Sequence, residues 1–329
     1  MIVRLVFNAG AGYGRGRAVA DQVEAALHDA GHAVVRSIVG AAPAGVANDG
    51  PCDALVVIGG DGTVHHELSE ALCRRVPIYQ FAAGTENLFA RDWSMKPDPS
   101  VLVRALARGR VVEADVGLCN AEPFCLMCSV GFDAAVIHRR ARGRPGLGHR
   151  GYVVPVLEQL AEPAISRVRI RVDGLDLVDA ERGVCIVANS RQYALRLDPA
   201  CRADPTDGLL DVVFLPCEGP LGAAKWGLAA RLGVHRHDPA LVYRQGREIE
   251  VVALDADAPC QIDGEPLGAW EGRVTRARES NGHAHQAAGT GGERASLHVR
   301  PAAPPGQAGA RLHCLIRPGA LRVLDARGL

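Results

Sequence analysis

Gly59-Gly60-Asp61-Gly62-Thr63 follows Ala54-Leu55-Val56-Val57-Ile58 and precedes Val64-His65-His66-Glu67-Leu68. The apolar run is rich in β-branched residues and has no polar break, the pattern of a strand buried on both faces of a parallel sheet. Downstream, Val64, Leu68, Ala71 and Leu72 recur at helical spacing, with His65, His66, Glu67 and Glu70 between them. The glycines therefore stand where a strand ends and a helix begins, the position at which open α/β sheets bind ligands. Glycines let the backbone approach a ligand closely, and a helix N-terminus offers unpaired N–H groups to phosphate. Asp61 puts a carboxylate among those amides and repels phosphate unless a cation lies between them, which suggests a nucleotide with Mg2+. The stretch is not a Walker A loop, because it lacks the Gly-Lys-Ser/Thr ending. Its plain alternative is a tight turn whose Asp and Thr cap the helix.

Upstream, Ile2 to Phe7 reads as a first strand, followed by the glycine-rich Asn8 to Gly16. Those glycines do not fit G-x-G-x-x-G, so a dinucleotide fingerprint is unsupported. Val19, Val23, Ala26 and Leu27 lie on one face of a helix from Arg17 to Ala30, which Gly31 stops. Ala33-Val34-Val35 opens a second strand, and Pro43 to Pro51 reads as a loop or short helix. Pro77-Ile78-Tyr79-Gln80-Phe81 is a further strand that runs into Ala82-Ala83-Gly84-Thr85-Glu86-Asn87. This second glycine turn would sit beside the first in a parallel sheet. Thr85 and Asn87 then either donate to the same nucleotide or cap the next helix. The layout is doubly wound α/β.

After Pro97-Asp98-Pro99 and a short helix (Val101 to Ala107) the texture changes. Short strands over 111–116, 124–130, 168–172, 183–188, 209–215 and 249–254 suggest a β-rich second domain. Helices are expected over Gly151 to Leu160 and around Leu221 to Leu232. His138, Arg139, Arg140, Arg142, Arg144, His149 and Arg150 form a basic run, read either as a solvated loop or as a contact with ATP phosphates or an anionic membrane. Residues 271–311 read as an insertion or loosely ordered tail, and strands return near 312–316 and 321–324. This late segment closes the second domain or returns to the first. The expected division is 1–112, 113–270, the 271–311 insertion and 312–329.

Composition sets bounds. At 329 residues and 48% apolar, the chain can bury substantial cores. Lys plus Arg and Asp plus Glu both number 37, so no global charge points to nucleic acid. Ten cysteines without a regular framework, and no secretory leader, read as reduced thiols of a cytoplasmic protein. Cys125-Leu126-Met127-Cys128 has C-x-x-C spacing but sits in an apolar run, so it reads as a buried strand. No apolar stretch is long enough for a transmembrane helix.

With these pieces in place, the chain resembles the diacylglycerol kinase catalytic-domain family, which includes bacterial lipid kinases and sphingosine kinases and has a fold related to NAD kinases. The parts occur in family order: Asn8-x-x-x-Gly12, Gly59 to Thr63 with Glu67, Gly84 to Ala90, Ser129-Val130-Gly131-Phe132-Asp133, Asn189, Pro199-Ala200 with Asp207 to Asp211, and Asp263-Gly264-Glu265-Pro266-Leu267. Ala9 stands where the family usually has Pro, and Leu88 where bacterial diacylglycerol kinases often have Asp, so the acceptor is left open.

The resemblance implies a nucleotide in a cleft between an N-terminal α/β domain and a C-terminal β-sandwich. It implies ATP and Mg2+ as cofactors and phosphoryl transfer to a lipid alcohol such as diacylglycerol or a sphingoid-like alcohol. Asn8, Gly59, Gly60, Asp61, Gly62, Thr63, Val64, His65, Thr85 and Asn87 match nucleotide-binding positions, and Ser37 is a further candidate. Asp204, Asp207 and Leu209 match a magnesium site, although Asp207-Gly208 is also a plain turn signal. Glu265 matches the proton acceptor; Asp263 orients the site or reaches Mg2+ through water; Asp61 acts on the Mg2+–nucleotide or the acceptor hydroxyl. The expected partners are the lipid alcohol and, transiently, an anionic membrane surface reached by peripheral association, with a homodimer left open. The alternatives are a NAD-kinase-like enzyme on a soluble substrate and a nucleotide-binding regulatory module without catalysis.

Overall fold

The computed structural model describes residues 1–39, 50–142, 165–255, 258–267 and 310–329. The N-terminal half contains strands β1 (Ile2–Phe7), β2 (Ala33–Ile38), β3 (Ala54–Gly59) and β4 (Ile78–Ala82). Its helices are α1 (Ala11–Gly14), α2 (Gly16–Asp29), α3 (Asp61–Arg74), α4 (Leu88–Asp92) and α5 (Pro99–Arg108). The strands pair in parallel in the order β4-β3-β1-β2. Every residue of β3 is buried, as its unbroken apolar sequence demands. Helix α2 buries Ala20, Val23 and Leu27, one stripe at helical spacing, and Gly31 leaves it at a positive φ of 79°. Asp98 caps α5 by accepting from Ser100 N at 2.8 Å, with Pro99 in the first turn and Gly109 at φ 62° beyond its end.

The C-terminal half contains β5 (Val111–Cys119), β6 (Glu122–Phe124), β7 (Met127–Val130), α6 (Phe132–Arg142), β8 (Arg167–Val172), β9 (Leu175–Ala188), β10 (Leu210–Pro216), a helix over Pro220–Arg231, β11 (Val242–Gly246), β12 (Glu248–Ala253), β13 (Cys260–Ile262), β14 (Glu265–Pro266) and β15 (Arg311–Leu324). Strand β9 builds the sandwich. Its first part pairs with β8; its last part, Gly183–Ala188, pairs with β10 and β7. Inside the β8-paired part Ala180 has φ 57°, at the irregularity between the Val168 and Ile170 pairings. A second core fills the space, with Phe124, Ile170, Val187, Phe214, Ile249 and Ile262 among its members.

The late strand does both things the sequence left open. β15 pairs with β12 through Arg311–Leu315 and with β5 along most of its length, and Val323 pairs in parallel with Ile78 of β4. One strand thus joins the two halves into a continuous sheet, and the expected division at residue 112 falls inside β5. The C-x-x-C cysteines face different surroundings. Cys125 meets Asp263, whereas Cys128 lies 3.4 Å from Cys314, sulfur to sulfur. All ten cysteines are free thiols. Arg140 to Arg150 as a basic surface, the Gly151–Leu160 helix, the Pro43 loop and the 271–309 part of the insertion lie outside the residues whose side chains or backbone are described.

Candidate active site

Three turns meet at the C-terminal ends of neighbouring strands β1, β3 and β4, where open α/β sheets bind ligands. Asn8 N donates to Ile58 O at 3.0 Å, and Asn8 Oδ1 accepts from Gly10 N at 2.9 Å. Gly12 N donates to Ala83 O at 3.0 Å, and Ala83 N to Gly59 O at 3.1 Å. At Gly59 the side chain of buried Thr63 folds back so closely that a Cβ has no room. Gly60 and Gly84 face each other backbone to backbone, and a Cβ on Gly84 would strike the Gly60 Cα. Asn87, at φ 50°, closes the second turn itself: its Oδ1 accepts from Gly84 N at 2.8 Å and its Nδ2 donates to Gly84 O at 3.0 Å. Its side chain therefore clamps the turn, and Asn87 stands at the N-cap position of α4 without a side-chain cap bond. Thr85 is half-buried in the same turn. Ser37, one residue before the end of β2, stands opposite Val6, with its Oγ buried and no hydrogen-bond partner among the described residues.

Asp61 begins α3, whose first N–H groups have no acceptor within the helix. Its Oδ1 accepts from Phe89 N at 3.1 Å, so the carboxylate ties the starts of α3 and α4 together. Burial pushes the Asp61 carboxyl up, the amides of Leu88 and Phe89 oppose this, and the charges of Asp263 and Glu86 add to it. Gln80 braces the pair from below. Wholly buried, it donates to Gly59 O at 3.1 Å and accepts from Ala90 N at 2.7 Å. Val64 and His65, matched to nucleotide positions by the resemblance, turn their side chains inward and are buried.

The C-terminal half contributes the β13–β14 hairpin. Asp263 and Gly264 both take positive φ, 48° and 83°, and Gly264 N donates to Gln261 Oε1 at 2.8 Å. The buried Asp263 carboxylate accepts from Cys125 N at 2.9 Å, Leu126 N at 2.8 Å and Met127 N at 3.0 Å. His65 Nδ1 adds a contact to Oδ2 at 3.3 Å. Both Asp263 oxygens are thus occupied by protein donors, so this side chain positions the hairpin. Burial pulls the His65 imidazole down; the hydrogen bond to Asp263 and the charges of Asp263, Glu122 and Glu265 outweigh it, and the net shift is upward. This anchoring lays Glu265 over the first glycine turn, where a Cβ on Gly62 would collide with Glu265 Oε1.

The Asp204–Leu209 turn has its own anchor. Buried Asp115 of β5 accepts from Gly208 N at 2.6 Å and from Gly319 N at 2.7 Å, within the bulge of β15. Asp204 Oδ1 accepts from Thr206 N at 3.0 Å, and Asp207 accepts from Leu209 N at 3.0 Å and Gln245 Nε2 at 3.1 Å. Burial raises the Asp207 carboxyl, Leu209 N opposes this, and the Asp204 charge raises it further. Two carboxylates and the Leu209 carbonyl are oxygen donors of the hard kind that Mg2+ takes, although both Asp207 oxygens already accept from Leu209 N and Gln245 Nε2.

Sequence reasoning missed Asp92 and Gln80. The Asp92 carboxyl is pushed up to about 6 by burial, against the hydrogen bonds of Ser190 and Gln192. Ser190 Oγ donates to it at 2.5 Å. Burial and the charges of Asp263, Asp61 and Asp92 together push the Cys125 thiol up. The signal for Gln80 was present as a lone polar residue inside Ile78-Tyr79-Gln80-Phe81.

Comparison with known proteins agrees with this fold. Residues 2–119 match the model of the diacylglycerol kinase catalytic domain, and residues 127–280 that of the YegS C-terminal NAD kinase beta sandwich-like domain. Diacylglycerol kinases of two Mycobacterium tuberculosis strains, CDC 1551 / Oshkosh and ATCC 25618 / H37Rv, are each 27% identical over 206 residues. The match takes in 61% of this chain and 63% of theirs, so the chain spans about three fifths of the length of these relatives. A crystal structure of a diacylglycerol kinase from Bacillus anthracis str. Sterne superposes with a TM-score of 0.61 at 13% identity, covering 98% of this chain and 96% of that one, which speaks for the fold. The two halves, the glycine turns at their junction and the matched models place the chain in the diacylglycerol kinase catalytic-domain family.

Proposed function

We propose that the chain is an ATP- and Mg2+-dependent lipid kinase that transfers the γ-phosphoryl group to the hydroxyl of diacylglycerol or a sphingoid-like alcohol. The observation that carries this reading is Glu265 lying over Gly62, a carboxylate from the C-terminal half set on the phosphate-binding turn of the N-terminal half. An alcohol loses its proton as it attacks phosphorus, and Glu265 takes that proton. The glycine turns and the α3 N-terminus hold the phosphates. Asp61 fixes α4 against α3 and acts on the Mg2+–nucleotide or the acceptor hydroxyl. Asp263, through three backbone amides and His65, fixes where Glu265 stands.

A polyphosphate beside the Asp61 carboxylate needs a cation with it, and Asp204, Asp207 and the Leu209 carbonyl are the residues that would hold Mg2+. When bound, Mg2+ neutralises the phosphate charge. A bilayer acceptor requires a membrane surface. Among the described residues no helix is long and apolar enough to cross one; we propose peripheral association at the cytoplasmic face. The test is incubation with labelled ATP, Mg2+ and a panel of lipid alcohols beside NAD. A labelled lipid product is expected; labelled NAD with no lipid product overturns the reading.

A further inference from the structure

The Pro220–Arg231 helix buries one stripe, Ala223, Trp226 and Ala230, and Trp226 Nε1 donates to Pro216 O at 2.8 Å. Its opposite pole carries Leu221 and Leu228, and Leu232 just past its end. Seven and eleven residues of spacing put all three on one line at 3.6 residues per turn. They are 86%, 62% and 66% exposed, and Val234 beyond them is 51% exposed. A helix packed on a core ordinarily turns charged residues to water at that pole. Here the leucine line is flanked by exposed Lys225 and Arg231.

From Leu221 to His237 there is no Asp or Glu, and the charged residues are Lys225, Arg231 and Arg236. Lys225 reaches Asp238 at 3.0 Å, a surface pair of small worth. The helix is also linked to the candidate site. His235 Nε2, just beyond it, lies 3.1 Å from Pro199 O. The loop leading to Pro199 exposes Leu195, whose N–H donates to Glu86 Oε1 in the second glycine turn at 3.3 Å. Exposed apolar side chains thus stand both at the rim of the site and along the helix.

We propose that this face docks the protein on an anionic bilayer, an inference that rests on the lipid-acceptor reading above. Leu221, Leu228, Leu232 and Val234 enter the acyl boundary, while Lys225, Arg231 and Arg236 meet the headgroup phosphates. An apolar line between cationic margins, with the Asp238 carboxylate at its edge held by Lys225, is the composition of an interfacial helix. Docking there sets the rim of the site, at Leu195 and Glu86, near the surface that holds the acceptor.

The test is co-sedimentation of the full chain with phosphatidylglycerol–phosphatidylcholine vesicles and with phosphatidylcholine vesicles. Leu221→Gln with Leu228→Gln is expected to lower partitioning onto the anionic vesicles about tenfold or more. Both side chains face solvent, so the thermal melt stays as in the wild type, as does transfer to a short-chain lipid alcohol dispersed in detergent. Lys225→Gln with Arg231→Gln should weaken anionic binding by about fivefold per charge and leave the phosphatidylcholine baseline alone. Wild-type protein that ignores anionic vesicles overturns the inference. So does a leucine variant that binds as the wild type does, including one that has merely turned a dimer into a monomer, which would assign the face to a second copy of the chain. Loss of vesicle binding in the variant, with no transfer to the dispersed acceptor by the wild type, upholds the docking face and sinks the kinase reading.

Discussion

His65 Nδ1 stands 3.3 Å from Asp263 Oδ2, a contact between residues 198 positions apart that joins the helix of the first glycine turn to the hairpin carrying Glu265. Asp263 also receives three backbone amides of 125–127. Asp263→Asn puts an NH2 group against those donors and leaves amides unpaired in a dry interior. A loss of about 2–4 kcal/mol in chemical denaturation is expected, with impaired turnover. A variant as stable as the wild type would show that the carboxylate is not the anchor.

The same pair makes stability depend on pH. The folded His65 pKa is raised above the ordinary 6.5, so its protonated form is bound more tightly in the native state. That contribution is fully present below pH 6.5 and is lost as pH rises through the folded pKa. The stability difference between wild type and His65→Gln should therefore be largest at acidic pH and shrink above 6.5. A difference that grows with pH would reverse the assigned sign.

Gly62 and Gly84 separate chemistry from folding. A Cβ at Gly62 meets the flexible end of Glu265, whereas one at Gly84 meets the Gly60 backbone. Gly62→Ala should leave stability within about 1 kcal/mol of wild type and cut turnover about tenfold or more by displacing the base. Gly84→Ala should cost about 1–3 kcal/mol, because backbone cannot give way. Thermal melts paired with rate measurements distinguish the two, and equal melting losses would contradict the geometry.

Asp207 carries the metal expectation. Asp207→Asn should raise the Mg2+ concentration for half-maximal turnover about tenfold or more, and chelation should abolish turnover in the wild type. An unchanged Mg2+ titration would reduce the Asp204–Leu209 segment to a turn held by Asp115.

Local pattern made the strands, the glycine turns and the helix stops legible, since each depends on residues a few positions apart. Gly31 and the all-buried β3 are examples. The anchoring of Glu265 was not legible, because Asp263 draws its donors from 125–127 and from His65, and no spacing rule links those segments. Gln80 is a lone polar residue in an apolar strand and Asp115 shares β5 with Glu113, but their partners exist only after the strands are side by side. The helical spacing of Leu221, Leu228 and Leu232 was readable; which pole of that helix faces the core was not. β15 combines both expected fates because one long strand, with a bulge between Arg317 and Leu321, spans the two halves.

The most direct measurement of the central claim, that Glu265 accepts the proton of an attacking lipid hydroxyl at the first glycine turn, is a comparison of Glu265→Gln with Asp61→Asn. Steady-state turnover on a lipid alcohol is measured alongside ATP binding and melting temperature. Glu265→Gln should lower kcat about a hundredfold or more with ATP binding nearly unchanged. Asp61→Asn keeps an acceptor oxygen for the α4 amide, so it should fold normally and retain less than about a tenth of the wild-type rate. Normal turnover by Glu265→Gln beside a dead Asp61→Asn would contradict the account and make Asp61 the base.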